Sequence, residues 1–411
     1  MILEQIVRGI RTIRTVVLAS MMQSCTHYAI PTPKLEMERT QREISTILEH
    51  IDAGTPLFSM ENHFATGYTN LTRADEDDVR EYKKLDFALR DGTKIKGLYK
   101  EGKRDSALII SSWGFLADSM AQPPHTFMNV VGATKLQEYA ILILDHPTSA
   151  RFYCLNGEAS WGGIEEGYIL VEVAKEMKER YHPGSIHLLG NSMGGMGVIH
   201  AAYRNEGLIT SAMVFSAVTD YTDVPGNALR NVTKNSTFGP AVMSDSLNSF
   251  GLGLLIDHFE EQVREDTICA KRYSAYSSLE ELFMKSRRYQ HDSLMSVLLK
   301  PYVERGVFTQ KKIDSMNDYL QRSDANRIAA GVGTPLFLIH ASDDSVVPQH
   351  HWYRFMTAAG GNNNVAGMMM TNGGHWGFVG AYGREWVGCM IKVYADYWAG
   401  KNLNEDRECF E

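Results

Sequence analysis

The sequence predicts an α/β fold: a mostly parallel, doubly wound sheet with an antiparallel hairpin at one edge and a helical insertion late in the chain. Three observations predict it. Short apolar runs alternate with helical segments between residues 107 and 216, the pattern of parallel βαβ units with helices on both sheet faces. Asp91-Gly92 sits between two alternating runs just before them, a strong short-range hairpin signal. From 223 to 333 the alternation stops and then resumes.

Taken in chain order, residues 1–25 carry Arg8, Arg11 and Arg14, an apolar stretch over 15–22, and Gln23-Ser24-Cys25. That order of basic, apolar and small-residue segments is that of a secretory leader. Two readings stand. The segment resembles a bacterial lipoprotein signal with Cys25 as the lipidated residue, although Met22, Gln23 and Glu4 depart from that pattern. Alternatively it is a short amphipathic helix with a buried cysteine. The first implies peripheral membrane attachment in a bacterial cell envelope, the second a cytoplasmic chain.

Over 33–52, Leu35, Ile44, Ile47, Leu48 and Ile51 recur among charges at helical spacing, so an amphipathic helix is expected. Strands are expected at 82–89, 93–99, 107–111, 139–144, 185–189, 211–216, 335–340 and 365–370, and helices at 164–180, 195–204, 348–358 and 378–398. The chain therefore divides into an N-terminal segment or leader (1–30), a helical extension (31–81), a core built from 82–222 and 334–400, and a helical insertion (223–333).

Composition narrows the function. The 411 residues carry 41 Lys+Arg and 49 Asp+Glu, a net charge of −8, with no sustained basic run, which argues against nucleic-acid binding. The five cysteines are far apart and form no C-x-x-C pair, so neither a disulfide framework nor a zinc site is expected. No apolar run approaches the ~18 residues of a membrane span.

The chemistry concentrates in three places. The strand at 185–189 runs into Gly190-Asn191-Ser192-Met193-Gly194 and then a helix, which is G-x-S-x-G in the context that pattern requires. Such a turn lifts the serine hydroxyl to a helix N-terminus, where free N–H groups favour developing negative charge. A serine nucleophile needs a base, itself oriented by an acid. The strand at 335–340 ends in Ser342-Asp343-Asp344, at the carboxyl edge where parallel sheets place their sites. The strand at 365–370 leads to a glycine turn presenting His375. The order Ser…Asp…His is that of a nucleophile-elbow hydrolase.

These residues resemble the α/β-hydrolase fold over roughly 82–398, most nearly its esterase-like branch, whose members end in a Gly-Gly-His-x-Gly-Phe turn like that at 373–378. The resemblance implies Asp344 rather than Asp343 as the acid, because that branch places it in a D-x-x-V-P-like stretch, here ending in Val347-Pro348. It implies an oxyanion hole of two backbone N–H groups, from Met193 and Phe115, with Trp113-Gly114 standing where the family commonly has His-Gly. The insertion at 223–333 then corresponds to a cap over the site.

The expected activity is hydrolysis of a carboxylic ester or related acyl group by Ser192, His375 and Asp344, on a small-molecule acyl substrate, with no metal and no cofactor. A peptidase or acyltransferase on the same fold, or a non-catalytic interaction protein, are the alternatives. Asp220 and Asp223 are the rival acids, since some members place the acid after the strand at 211–216. Glu165 and Glu166 are read as dipole-stabilising residues at a helix start. His125 and His146 are expected on loops after strands, and His350 and His351 on a helix surface.

Overall fold

The structure is a computed structural model that describes residues 36–39, 79–103, 107–114, 117–120, 122–147, 149–156, 163–220, 322–344, 346–375 and 377–401. Among the described residues nine strands form one sheet: β1 (Glu36–Arg39), β2 (Lys83–Ala88), β3 (Lys94–Lys100), β4 (Leu108–Ser112), β5 (Ala140–Leu144), β6 (Ile186–Asn191), β7 (Ser211–Phe215), β8 (Leu336–Ala341) and β9 (Val365–Met370). Their order is β1-β9-β8-β7-β6-β4-β5-β3-β2. β5, β4, β6, β7, β8 and β9 pair in parallel, while β1, β2 and β3 are antiparallel to their neighbours.

The Asp-Gly signal gives the expected hairpin. Leu89 N–H donates to Thr93 O across the turn, and Gly92 takes the left-handed φ of 87° that the turn demands.

Alternation along the central strands sends side chains to two separate cores. On one face Ile109, Ile141, Leu189, Phe215 and Phe337 pack against α1 (Gln122–Ala133), α6 (Phe378–Tyr382) and α7 (Arg384–Trp398). On the other, Ile110, Leu142, Leu188, Val214 and Leu338 pack against α2 (Ala150–Asn156), α3 (Ile164–Tyr181), α4 (Met193–Arg204) and α5 (His350–Ala359). Burial on both faces explains why these strands read as unbroken apolar runs.

Several expectations are corrected. Residues 36–39 form an edge strand antiparallel to β9, not the first turn of a helix; pairing with an open sheet edge outweighs the local helical periodicity. The helix expected over 378–398 is two, divided at Gly383 with φ 93°. Helix α1, which is not among the expected helices, carries Pro123 and Pro124 in its first turn, where missing N–H groups cost nothing. Cys154 and Cys389 are both disulfide-bonded, because spacing along the chain does not limit which cysteines meet in space.

The leader, nearly all of the N-terminal extension, and 223–321 of the expected cap lie outside the described residues. Residues 322–333 return to the core through two short 3-10 turns, Ala325–Arg327 and Ala329–Gly331, with Ala325 and Ala329 buried. Among the described residues no helix is long and apolar enough to cross a membrane.

Candidate active site

β5 and β6 lie on opposite sides of β4, so the connections diverge there, at the kind of switch point where parallel sheets place their sites. The turns after β4, β6, β8 and β9 all emerge at this edge.

Ser192 follows β6 and precedes α4 with φ 56° and ψ −123°. A non-glycine residue in this region costs about 1–3 kcal/mol, so the surroundings must hold it. Its N–H donates to Phe215 O at 3.1 Å, and its carbonyl accepts from Gly195 N at 3.1 Å and Val218 N at 3.0 Å. The flanking glycines are required by contact. A Cβ on Gly190 would lie 2.8 Å from Gly194 O, and one on Gly194 would collide with the carbonyl oxygens of Ser112 and Trp113. Met193 is the first residue of α4, so its N–H belongs to the helix end that has no intrahelical acceptor. Gly114, after β4, faces Ser192 closely: a Cβ there would sit 3.2 Å from Ser192 Cβ and 3.4 Å from its Oγ. Phe115 lies outside the described residues.

Asp344 is buried beyond β8. Its Oδ1 accepts N–H bonds from Val346 and Val347, each 2.9 Å, and His375 Nδ1 lies 3.0 Å from Oδ2 and 3.2 Å from Oδ1. Burial alone would raise its pKa, but the His375 charge and hydrogen bond, with the Val347 N–H, hold the carboxyl below its usual range. The carboxylate fixes the proton on His375 Nδ1, which makes Nε2 the ring's acceptor. Behind the acid, His340 Nε2 donates to Val347 O at 2.9 Å, and burial pushes its pKa down to about 4. His340 is therefore neutral near pH 7 and serves as a strut for the acid loop.

The histidine turn is tied down from two directions. Asn191, next to Ser192, donates from Nδ2 to His375 O at 3.4 Å and to Phe215 O at 3.1 Å. Asp343 Oδ1 accepts the Gly374 N–H at 2.8 Å. The structure thus brings His375 and Asp344 into direct contact and links the His375 backbone to the residue beside Ser192. Asp220 pairs instead with Arg354 at 3.7 Å, and Asp223 lies outside the described residues.

Reading the sequence missed the roles of Asn191 and Asp343. A neighbouring aspartate looks like a turn former, and only the fold shows which N–H it meets.

Asp343 gives a pH-dependent prediction. Burial, then the charge of Asp344, raise its carboxyl from 3.8 to about 6 against the Gly374 and Gly373 N–H bonds. Oδ2 is buried with no hydrogen-bond partner among the described residues. Because the folded pKa lies above the unfolded one, the group's contribution is fully present below about pH 4 and is lost as pH rises through about 6. A rise from 3.8 to about 6 corresponds to roughly 3 kcal/mol. Asp343→Asn keeps an oxygen for Gly374 and removes the charge, so its stability advantage over the parent should grow between pH 4 and 6 and then level off. Urea unfolding across that range checks this; parallel curves for the two proteins would refute it.

Other expectations are adjusted. His125 lies within α1, its Nε2 3.4 Å from Asn129 Nδ2, and not on a loop. His351 is buried on α5, not on its surface, with Nδ1 3.2 Å from Thr219 Oγ1. Glu165 and Glu166 both lie in the first turn of α3, where acidic residues favour the helix dipole, and Glu166 is also buried there. Among the described residues no cluster of three His, Cys, Asp or Glu is arranged to hold a metal ion.

The sequence profile of a family described as the alpha/beta hydrolase fold matches residues 149–382, more than half of the chain. A search of curated proteins finds no match. Among solved structures, the chain is similar to an esterase of Pyrococcus furiosus, with 17% identity, 78% of this chain and 96% of that one covered, and a TM-score of 0.47. It is also similar to the acylaminoacyl peptidase of Pyrococcus horikoshii, with 12% identity, 79% and 44% covered, and a TM-score of 0.47. A puromycin-hydrolysing peptidase of Mycobacterium tuberculosis aligns at 10% identity over 78% of this chain and 40% of its own, with a TM-score of 0.43.

Proposed function

Since the chain belongs to the α/β-hydrolase fold family, we propose that it is a serine hydrolase that cleaves a carboxylic ester or related acyl group through an acyl-enzyme intermediate. Ser192 Oγ attacks the acyl carbon while His375 Nε2 takes its proton and then returns it to the leaving group. Asp344 holds the imidazole in the tautomer that leaves Nε2 as acceptor and stabilises the imidazolium formed during attack. The Met193 and Phe115 N–H groups receive the developing oxyanion. Water is the second substrate and releases the acyl group, so the chemistry calls for neither metal nor organic cofactor.

The observation that carries this reading is Ser192 held at φ 56° on a helix N-terminus, with a His375–Asp344 pair 3.0 Å apart tied to the adjacent Asn191. We place the acyl group beneath the inserted 223–333 cap, whose apolar residues would set chain-length preference. The disulfides at Cys154 and Cys389 support an oxidising compartment, which fits the leader reading of residues 1–25.

Turnover of p-nitrophenyl esters of increasing acyl length, beside aminoacyl amides, tests the reaction class. Faster cleavage of esters, with loss of activity on fluorophosphonate treatment, is expected. Preference for the amides would move the activity to peptide chemistry.

A further inference from the structure

A buried carboxylate lies behind the site, in a place the reaction itself does not require. Glu166, near the start of α3, is 1% exposed. Ser112, the last residue of β4, donates its hydroxyl hydrogen bond to Glu166 Oε1. His146, just beyond β5 and 0% exposed, brings Nε2 within 3.2 Å of Glu166 Oε2, a close polar contact without hydrogen-bond geometry.

These two partners flank one loop. Ser112 immediately precedes Trp113-Gly114, the stretch that faces Ser192. His146 N–H donates to Ala117 O at 2.8 Å, and Ala117 N–H donates to Gly114 O at 3.1 Å. One carboxylate therefore reaches the start of the 113–117 loop through a side chain and its end through a histidine backbone. It also meets the nucleophile's own helix: a Cβ on Gly197 of α4 would overlap the Glu166 carboxyl group.

We propose that Glu166 is a positioning residue that sets the oxyanion loop against the nucleophile turn by holding both ends of that loop. The inference rests on the serine-hydrolase reading above. Its physical basis is that burying a carboxylate costs free energy that an apolar side chain of the same volume would not. What the carboxylate supplies is a directional hydrogen bond to the end of β4 through Ser112 and a close polar approach to His146 in the loop after β5, which apolar packing cannot provide. Donors for an oxyanion act only when fixed where the charge develops, and a displacement of about 1 Å can cost ~10²-fold in rate. Glu166 touches no reacting atom; it acts through Ser112 and His146.

The test compares Ser112→Ala, Glu166→Ala and Glu166→Gln with the parent for kcat, KM, thermal midpoint and the rate at which a fluorophosphonate labels Ser192. Ser112→Ala and Glu166→Ala should lower kcat by ~10- to ~10²-fold, with KM within about threefold and a parallel drop in labelling rate. Glu166→Gln, whose amide oxygen still accepts the Ser112 hydroxyl, should recover kcat to within about threefold of the parent. Should Glu166→Ala fail to fold, Ser112→Ala carries the test, since it removes one hydroxyl only. Folded variants with parental kcat, a loss confined to KM, or Glu166→Gln as impaired as Glu166→Ala would overturn the proposal. Failure of the hydrolase reading shows up separately, as a parent protein that the probe does not label.

Discussion

Ser192→Ala should retain the fold and lose about 10⁶-fold in turnover, the scale seen when the nucleophile of a coupled triad is removed. The fold should survive because what holds residue 192 at φ 56° is its backbone: the bonds to Phe215, Gly195 and Val218 and the close packing of Gly190 and Gly194. Alanine accepts that backbone with strain comparable to serine and deletes only the hydroxyl. Turnover of an activated ester and the thermal midpoint, measured together, check both halves. Activity within tenfold of the parent would mean that another group attacks the substrate.

Asp344→Asn should cost about 10⁴-fold, a smaller loss with a different origin. Asparagine can still accept the Val346 and Val347 N–H bonds through its oxygen. Toward His375 it no longer offers a carboxylate, so it can neither fix the Nδ1 proton nor stabilise the imidazolium. Asp343→Asn and Asp220→Asn should lose far less, because the first bonds a backbone N–H and the second pairs with Arg354. A larger loss from Asp220→Asn than from Asp344→Asn would transfer the acid to the segment after β7.

How much of this was legible in the sequence depends on how local each signal is. The nucleophile turn reads directly, since its glycines are dictated by contacts within a few residues or with the adjoining strand. The central strands read well because burial on both faces makes them apolar throughout. Asp344 is named by the likeness of its loop to a family pattern; in the fold Asp344 meets the His375 ring, while Asp343 accepts the Gly374 N–H. The failures are non-local. Nothing near residues 36–39 announces that β9 has an open edge. Glu166 looks like any acidic residue opening a helix until the space left by Gly197 and the approach of Ser112 and His146 become visible. The helix break at Gly383 hides inside a continuous apolar period, because one glycine does not interrupt a pattern spaced by three and four. His351 looked like a surface residue because its partner, Thr219, lies on a distant segment.

The central claim, that Ser192 is the nucleophile of a serine hydrolase, is tested most directly by labelling the full chain with a fluorophosphonate and locating the adduct by peptide mass spectrometry. The account predicts one stoichiometric adduct, on the peptide containing Gly190-Asn191-Ser192-Met193-Gly194, that is absent from Ser192→Ala. An adduct at any other serine, or none on a protein that hydrolyses esters, would contradict it.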